Sequence, residues 1–250
     1  VWEDQIIYFI MIDRFANGDT SNDVLTESGI DSGYVNSKYN GGDIQGLINQ
    51  LDYIAELGVT AIWVTPPVAN QWWDGLVDYG GYHGYWARDF KNVDEHFGDI
   101  ELYKKFVEEA HKRGIYVIQD IVTNHTGNFI SYRDGKYYLN DQSYPTNKPE
   151  QYPFNMNDYN DPEQRNLNIY HWPSEVKEPN RYNTEFSDLD DLNTENPIVI
   201  EALKDSYSFW IKEADVDGFR IDTAIYVEPE FWPEFLEGEK GIFEVASELG

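Results

Sequence analysis

The chain has 250 residues, a formal net charge of −28 and no cysteine, and its length suits one α/β barrel or two smaller domains. The excess of carboxylates argues against nucleic-acid and anionic-membrane partners, and the absence of thiols excludes disulfide scaffolds and thiolate metal sites. No apolar run reaches the length of a membrane span, and such acidity is typical of soluble, monomeric proteins adapted to salt.

Short apolar runs alternate with helical patterns along the chain. Four runs predict buried strands of a parallel sheet, the first of them buried on both faces, namely 6–12, 61–64, 115–122 and 217–221. The spacing of apolar residues predicts helices at 44–57, 99–114, 197–211 and 229–250. A loop rich in glycine and aromatic residues joins the second strand to Arg88.

The segment 126–190 has no sustained period and is dense in Asn, Tyr, Pro and Asp. Because so long an irregular stretch is uncommon in a compact unit, we interpret it as a small domain inserted after strand three, between barrel segments 1–125 and 191–250. The strand–helix series predicts a parallel sheet, either in a (β/α)₈ barrel or in a doubly wound fold. If the fold is a TIM barrel, four strands make only its N-terminal half.

Polar clusters follow three of the predicted strands, where barrel enzymes gather their functional residues. They are Tyr82–Asp89, Asp120–His125 and Arg220–Asp222. Either a structural role or a catalytic one fits each cluster alone, but three together favour a site.

Side chains alternate along strand four, so Arg220 and Asp222 share one face and are expected to point inward, while Phe219 and Ile221 pack against helices. The guanidinium favours the charged form of the Asp222 carboxylate. An ionised, dry carboxylate suits a nucleophile at a sugar anomeric centre, although a structural ion pair would have the same pattern.

The loop Asn17–Asp23 offers four Asn or Asp side chains within seven positions. Such a loop suits Ca²⁺, although an Asn/Asp-rich turn has the same composition. Asn124, on the same face of strand three as Asp120, is a further oxygen donor for a cation, and the neutral ring of His125 is a partner for a sugar hydroxyl.

The chain resembles the α-amylase family of glycoside hydrolases, in particular its amylase and cyclodextrin glucanotransferase branches. Three segments resemble family motifs: Asp120-Ile-Val-Thr-Asn-His125, Asp217-Gly-Phe-Arg-Ile-Asp222 and Tyr82-His-Gly-Tyr-Trp86. The resemblance implies a (β/α)₈ barrel with Asp222 as nucleophile and Arg220 holding it ionised. It also implies that His83 and His125 bind sugar hydroxyls, that Tyr85 stacks on the sugar ring, and that Asp120 supports the site from behind.

The resemblance further implies two calcium sites. The first would use Asn17, Asp19, Asn22, Asp23, the carbonyl of Gly41, and Asp43. The second, linking barrel and insert, would use Asn124 and Asp191.

The chain departs from the family pattern in two places. Ile225 and Tyr226 stand where the second motif often continues with Lys-His. Retaining chemistry also needs a second carboxyl, which the family supplies as a Glu ending strand five. Glu244 and Glu248 have the spacing of a solvated helix face, so we expect the general acid and the third carboxylate beyond Gly250.

Three hypotheses remain: a retaining endo-acting α-amylase cleaving α-1,4-glucans, a glucanotransferase or cyclodextrin-degrading relative, and a catalytically silent barrel that only binds. The expected partner is an α-glucan or maltooligosaccharide. The first residues, Val1–Asp4, lack the basic segment of a signal peptide, as a mature secreted protein would, and we expect an extracellular protein.

Overall fold

The structure, a computed structural model, describes residues 2–23, 37–141, 144 and 146–249. The strands are β1 (Ile7–Ile10), β2 (Ala61–Val64), β3 (Val68–Asn70), β4 (Trp73–Asp74), β5 (Tyr79–Gly80), β6 (Ala87–Val93), β7 (Tyr116–Val122), β8 (Ile130–Arg133), β9 (Lys136–Leu139) and β10 (Gly218–Asp222). The helices are α1 (Ile12–Phe15), α2 (Ile44–Asn49), α3 (Leu51–Glu56), α4 (Ile100–His111), α5 (Pro162–Leu167), α6 (Pro197–Ala214), α7 (Phe231–Glu237) and α8 (Ile242–Leu249). Short 3₁₀ turns span Trp2–Asp4, Thr20–Asn22 and Ala224–Tyr226.

The main sheet contains four parallel strands in the order β1-β2-β7-β10. This order follows the chain without reversal, as in a barrel, whereas a doubly wound sheet reverses its strand order at a switch point. Strands β7 and β10 are paired so that Arg220 lies beside Asp120 and Asp222 beside Val122. The carboxyl ends of both strands therefore open at the same edge of the sheet.

The two faces of this sheet differ in burial. Ile10, Ile62 and Val117 lie on the face that is buried in the hydrophobic core. On the opposite face, Ile7 and Phe9 are 51% and 46% exposed. In the described part of the chain the first strand is therefore buried on one face only, because the described residues leave the face of Ile7 and Phe9 partly uncovered.

Helix α6 shows how the sequence fixes the long helices that cover the buried face. The Asn196 side chain accepts a hydrogen bond from the amide of Ile198 at 2.9 Å, and Pro197 occupies the first turn, so the helix begins where it was predicted to. It ends at Asp215, which has a left-handed φ of 56°. The buried side of the helix includes Tyr207 and Trp210.

Two predictions of secondary structure need correction. The helix predicted at 44–57 is divided into α2 and α3, because Gln50 has φ −104° and ψ 3°, outside the helical region. The loop predicted after the second strand contains the antiparallel pairs β3–β6 and β4–β5. These strands are short, and the β3–β6 pairing has register shifts that obscure any alternation in the sequence.

The described part of segment 126–190 contains the β8–β9 hairpin and α5. Its buried side chains Phe129, Phe154 and Trp172 belong to the same continuous core as the barrel residues. The boundaries of an inserted domain remain a prediction. Among the described residues, no helix is long and apolar enough to cross a bilayer.

The hydroxyl of Tyr207 joins α6 to the end of β7. It donates to the carbonyl of Val122 and accepts from the amide of the same residue at 3.2 Å. Replacing Tyr207 by Phe would remove this hydrogen-bond partner from both backbone groups of Val122, and we expect the free energy of unfolding to fall by about 1–3 kcal/mol. Urea denaturation measures this change, and Tyr53→Phe, at an exposed position of α3, should change the value by less than about 0.5 kcal/mol. Equal effects of both substitutions would contradict the assigned role.

Candidate active site

A single guanidinium links the carboxylates of two neighbouring strands. The Nη1 atom of Arg220 lies 2.7 Å from Oδ1 of Asp222 and 3.1 Å from both carboxylate oxygens of Asp120. On the other face of β10, Phe219 packs against Tyr207 of α6, with ring centroids 5.9 Å apart. The two faces of β10 are thus occupied as strand alternation predicted, and the arrangement holds one cation between two anions.

Asp120 has no exposed surface and receives hydrogen bonds from three residues. Besides Arg220, the hydroxyl of Tyr85 donates at 2.8 Å and the indole Nε1 of Trp63 donates at 3.0 Å. Burial raises the pKa of Asp120 to about 6, and the three donors oppose this increase. At neutral pH the carboxylate is therefore charged and fully used by protein donors, which fits a supporting role rather than proton transfer to a ligand.

The loop between β5 and β6 carries His83 and Tyr85 on either side of a required glycine. Gly84 has φ +89°, and a Cβ there would lie 2.2 Å from the carbonyl oxygen of Pro66. Nδ1 of His83 accepts a hydrogen bond from the amide of Tyr85 at 3.0 Å, and the two rings stack with centroids 5.7 Å apart. This turn fixes the orientation of both rings.

The imidazole of His125 is buried, that of His83 is half-buried, and both are neutral. Burial lowers the pKa of His83 to about 3 and that of His125 to about 4, and the negative charge of Asp222 opposes the decrease at His125. His125 is 1% exposed, and its Nε2 atom has no protein partner. A buried polar atom without a partner has a cost that a ligand hydroxyl would relieve.

Sequence reasoning missed two aromatic residues at this site. The ring of Trp63 lies under the guanidinium of Arg220, 5.1 Å from ring centroid to Cζ. Phe186 is 40% exposed, lies nearly parallel to His125 at 6.3 Å, and contacts Tyr226 at 5.0 Å between centroids. The one sequence signal for Phe186 is its isolation among polar residues, whereas Trp63 reads as a core residue of the second strand.

Neither Glu244 nor Glu248 belongs to this site. Both are exposed on α8, and the carboxylate of Glu244 accepts a hydrogen bond from the amide of Lys240 at 2.5 Å. The prediction that they are solvated helix residues is confirmed, and the structure assigns neither as a general acid.

The early loop has features that fit a hard cation. The Asn22 Oδ1 atom is buried without a protein partner. Nδ2 of Asn17 contacts Oδ1 of Asp23 at 2.7 Å, and a Cβ on Gly41 would come within 2.7 Å of the same oxygen. Asp19 caps the Thr20–Asn22 turn and accepts from Ser21. Asn17, Asp23 and Gly41 thus lie close together, and Asn22 offers a buried oxygen nearby in the chain, a set of groups that suits Ca²⁺.

Asp43, the remaining residue predicted for this calcium site, is already occupied as the N-cap of α2. Its carboxylate accepts from the amides of Gly18, Asp19 and Gly46, the last at 2.6 Å. Burial raises the pKa of Asp43, and these amides oppose the increase. Asp43 therefore holds the loop against α2 through hydrogen bonds.

The second predicted cation pair lies where strand β7 meets the insert. Asp191 pairs through its backbone with His125, and the amide of Leu192 donates to the carbonyl of Asn124 at 2.9 Å. The Asp191 Oδ1 atom is buried without a partner, and burial raises the pKa of this carboxyl to about 7, although its hydrogen bond to His171 acts in the opposite direction. A cation at this oxygen would offset the cost of burial.

Comparison with known proteins is consistent with this geometry. Residues 9–246 match the family model for the α-amylase catalytic domain. The chain is 35% identical over 234 residues to an α-amylase of Streptomyces lividans, covering 79% of this chain and 25% of that protein. It is 36% identical over 237 residues to a cyclomaltodextrin glucanotransferase of Klebsiella oxytoca, covering 91% and 34% of the two chains.

Among solved structures, an α-amylase of Anoxybacillus superposes with a TM-score of 0.73 at 38% identity, covering 98% of this chain and 46% of that one. The chain therefore spans about a quarter to a third of these curated relatives and less than half of this structure. The likeness assigns the parallel sheet to a (β/α)₈ barrel.

The imidazoles of His83 and His125 should remain neutral down to about pH 5. We expect the ring resonances of His83 and His125 to stay constant from about pH 8 to about pH 5, because burial disfavours the charged ring. Two-dimensional ¹H–¹³C NMR follows both rings, and the His83→Gln and His125→Gln variants assign them. A titration midpoint near the ordinary value of about 6.5 for either ring would contradict the assigned environment.

Proposed function

Since the chain belongs to the α-amylase family, we propose that it carries the nucleophile of a retaining glycoside hydrolase that cleaves α-1,4-glucosidic bonds of starch-like glucans. The observation that supports this most strongly is the Arg220–Asp222 pair at the carboxyl end of β10, where Nη1 of Arg220 lies 2.7 Å from Oδ1 of Asp222. Two neutral imidazoles and the ring of Tyr85 lie at the same edge, which suits an uncharged, hydroxyl-rich ligand.

In the proposed reaction, an oxygen of Asp222 forms a bond to the anomeric carbon as the bond from that carbon to the leaving glucan oxygen breaks. A general acid protonates the leaving oxygen, and water later cleaves the glucosyl ester to restore the carboxylate. Arg220 orients Asp222 through the hydrogen bond from Nη1 to Oδ1. His83 and His125 hold sugar hydroxyls, Asp120 orients Arg220, and the ring face of Tyr85 contacts the sugar.

We assign the general acid to a Glu at the end of a fifth strand beyond Gly250, as the family pattern implies. Two observations on the described residues support this. Asp120 already accepts hydrogen bonds from Trp63 and Tyr85, and Glu244 and Glu248 are exposed on α8. Catalysis therefore has to be measured in the complete enzyme that carries this chain.

A second candidate is transfer of the glucosyl group to another sugar instead of to water. The K. oxytoca relative is a cyclomaltodextrin glucanotransferase, and Phe186, whose ring lies beside His125, contacts the ring of Tyr226. An aromatic surface favours a sugar acceptor over water by stacking. The product profile on soluble starch separates the candidates, because cyclic or lengthened products require transfer.

Replacing Asp222 by Asn should abolish hydrolysis, because the amide is too weak a nucleophile to form the glycosyl intermediate. We expect kcat/KM on soluble starch to fall by a factor on the order of 10³ or more. The matched control is Asp205→Asn on the exposed side of α6, where the carboxylate pairs with Lys91, and its activity should remain near that of the unmodified enzyme. An unchanged rate in the Asp222 variant would exclude the enzymatic proposal.

We further propose that both oxygen clusters bind Ca²⁺, with the Asn17–Asp23 loop and Gly41 as the first site and with Asn124 and Asp191 as the second. The support is the unpartnered buried oxygens of Asn22 and Asp191. Bound calcium there would stabilise the loop that precedes α2 and the junction between β7 and the insert.

Removal of calcium should lower the melting temperature of the complete enzyme, because a ligand present at about 100 times its Kd contributes about 2.7 kcal/mol of stability. Differential scanning calorimetry with and without a strong chelator measures the change, and added Ca²⁺ should restore it. The Asp19→Ala variant should need more Ca²⁺ for the same recovery, whereas Glu56→Gln, exposed on α3, should not. A melting temperature that chelator leaves unchanged would refute the assignment.

A further inference from the structure

A further group of side chains that could bind a cation lies beside the insert. A ring nitrogen of His171 and carboxylate oxygens of Glu195 and Glu228 all lie within 4.8 Å of one another. The three residues come from separate parts of the chain. His171 lies in the insert, Glu195 immediately precedes α6, and Glu228 follows the strand that carries Asp222.

The imidazole in this cluster is oriented by a buried carboxylate. Nδ1 of His171 lies 2.7 Å from Oδ2 of Asp191, and the two side chains are 11% and 1% exposed. This contact holds the ring in one orientation and leaves Nε2 for a further ligand. Histidines that bind metals are usually held by such a carboxylate.

Glu228 is oriented in the same way and lacks a basic partner. Glu228 is 9% exposed, and its Oε2 accepts a hydrogen bond from the hydroxyl of Thr194 at 2.6 Å. Within the described part of the chain, no lysine or arginine forms an ion pair with Glu228 or Glu195. A buried carboxylate without a cation is costly, so the cluster has a deficit of positive charge.

The cluster can be reached from solvent. A cavity of about 540 Å³ is lined by His171 and Glu195 together with Asn168, Glu175 and Glu178. Glu195 itself is exposed, so its side chain is free to adjust around an incoming ion.

We propose that His171, Glu195 and Glu228 form a site for a divalent cation that accepts mixed imidazole and carboxylate ligands, such as Zn²⁺, with water as a further ligand. One nitrogen and two carboxylates suit such an ion better than Ca²⁺, which prefers oxygen ligands alone. Tetrahedral coordination needs ligand atoms about 3.3–3.6 Å apart, so the exposed Glu195 moves inward by about an ångström.

Such an ion would link the insert, through His171, to the segment after β10, through Glu228. Asp191 would serve both cations, with Oδ2 orienting His171 and the unpartnered Oδ1 available to calcium. The inference concerns binding and stability, so it does not depend on the proposed hydrolysis.

Isothermal titration calorimetry tests the site on the complete protein, stripped with chelator and then saturated with Ca²⁺, with Zn²⁺ as the probe. We expect one saturable Zn²⁺ site, weakened at least tenfold in His171→Gln and in Glu228→Gln. Glu178→Gln, which alters the same cavity outside the cluster, should bind Zn²⁺ like the unmodified protein. Co²⁺ absorption spectra give a second readout, because ligand-field bands that weaken in both cluster variants report coordination by these residues.

Several outcomes would overturn the proposal. They are the absence of saturable Zn²⁺ binding in the unmodified protein, equal affinity in the cluster variants, and an equal loss in Glu178→Gln. Saturable Zn²⁺ binding that appears only when Ca²⁺ is left out would assign the cluster to an ordinary calcium site. Circular dichroism and melting of the metal-free variants show whether each is folded, and Glu195→Gln, changed at an exposed position, supplies the same test if the Glu228 variant does not fold.

Discussion

The candidate active site depends on one guanidinium held between two carboxylates. Arg220 can contact Asp120 and Asp222 together because β7 and β10 are parallel and in a register that places Arg220 directly beside Asp120. Asp120 is completely buried, and without this cation its charge would carry a large desolvation cost. Trp63 on β2 and Tyr85 in the loop before β6 also donate hydrogen bonds to Asp120. The contacts around this carboxylate therefore determine the positions of residues from three strands and one loop.

The uncharged imidazoles of His83 and His125 leave the Arg220–Asp222 ion pair undisturbed. A charged His125 beside Asp222 would compete with Arg220 for the carboxylate and would mask it from a ligand. Burial prevents this by lowering the pKa of His125 to about 4. Within the described part of the chain Asp222 therefore keeps Arg220 as its one cationic partner, while Nε2 of His125 remains available for a neutral hydroxyl.

The sequence predicted those parts of the site that depend on local periodicity. Alternation along residues 219–222 was enough to place Arg220 and Asp222 on one face, and the caps Asp99 and Asn196 lie where α4 and α6 begin. It did not predict that Trp63 donates to Asp120, because that contact depends on the register between separate strands. The contact of Phe186 with Tyr226 was missed for a related reason, since neither residue belongs to a periodic segment.

The acidic residues of the chain fall into two groups, exposed and buried, which the composition alone does not distinguish. With 46 acidic and 18 basic residues, exposed carboxylates such as Glu101 and Glu108 pair with nearby lysines and keep the surface hydrated. Buried carboxylates such as Asp191 and Glu228 have no lysine or arginine partner in the described part of the chain. The first group tolerates changes in ionic strength because solvent screens it. The second group would be stabilised by positive charge at a fixed position, such as a bound cation, and it lies where the insert meets the catalytic strands.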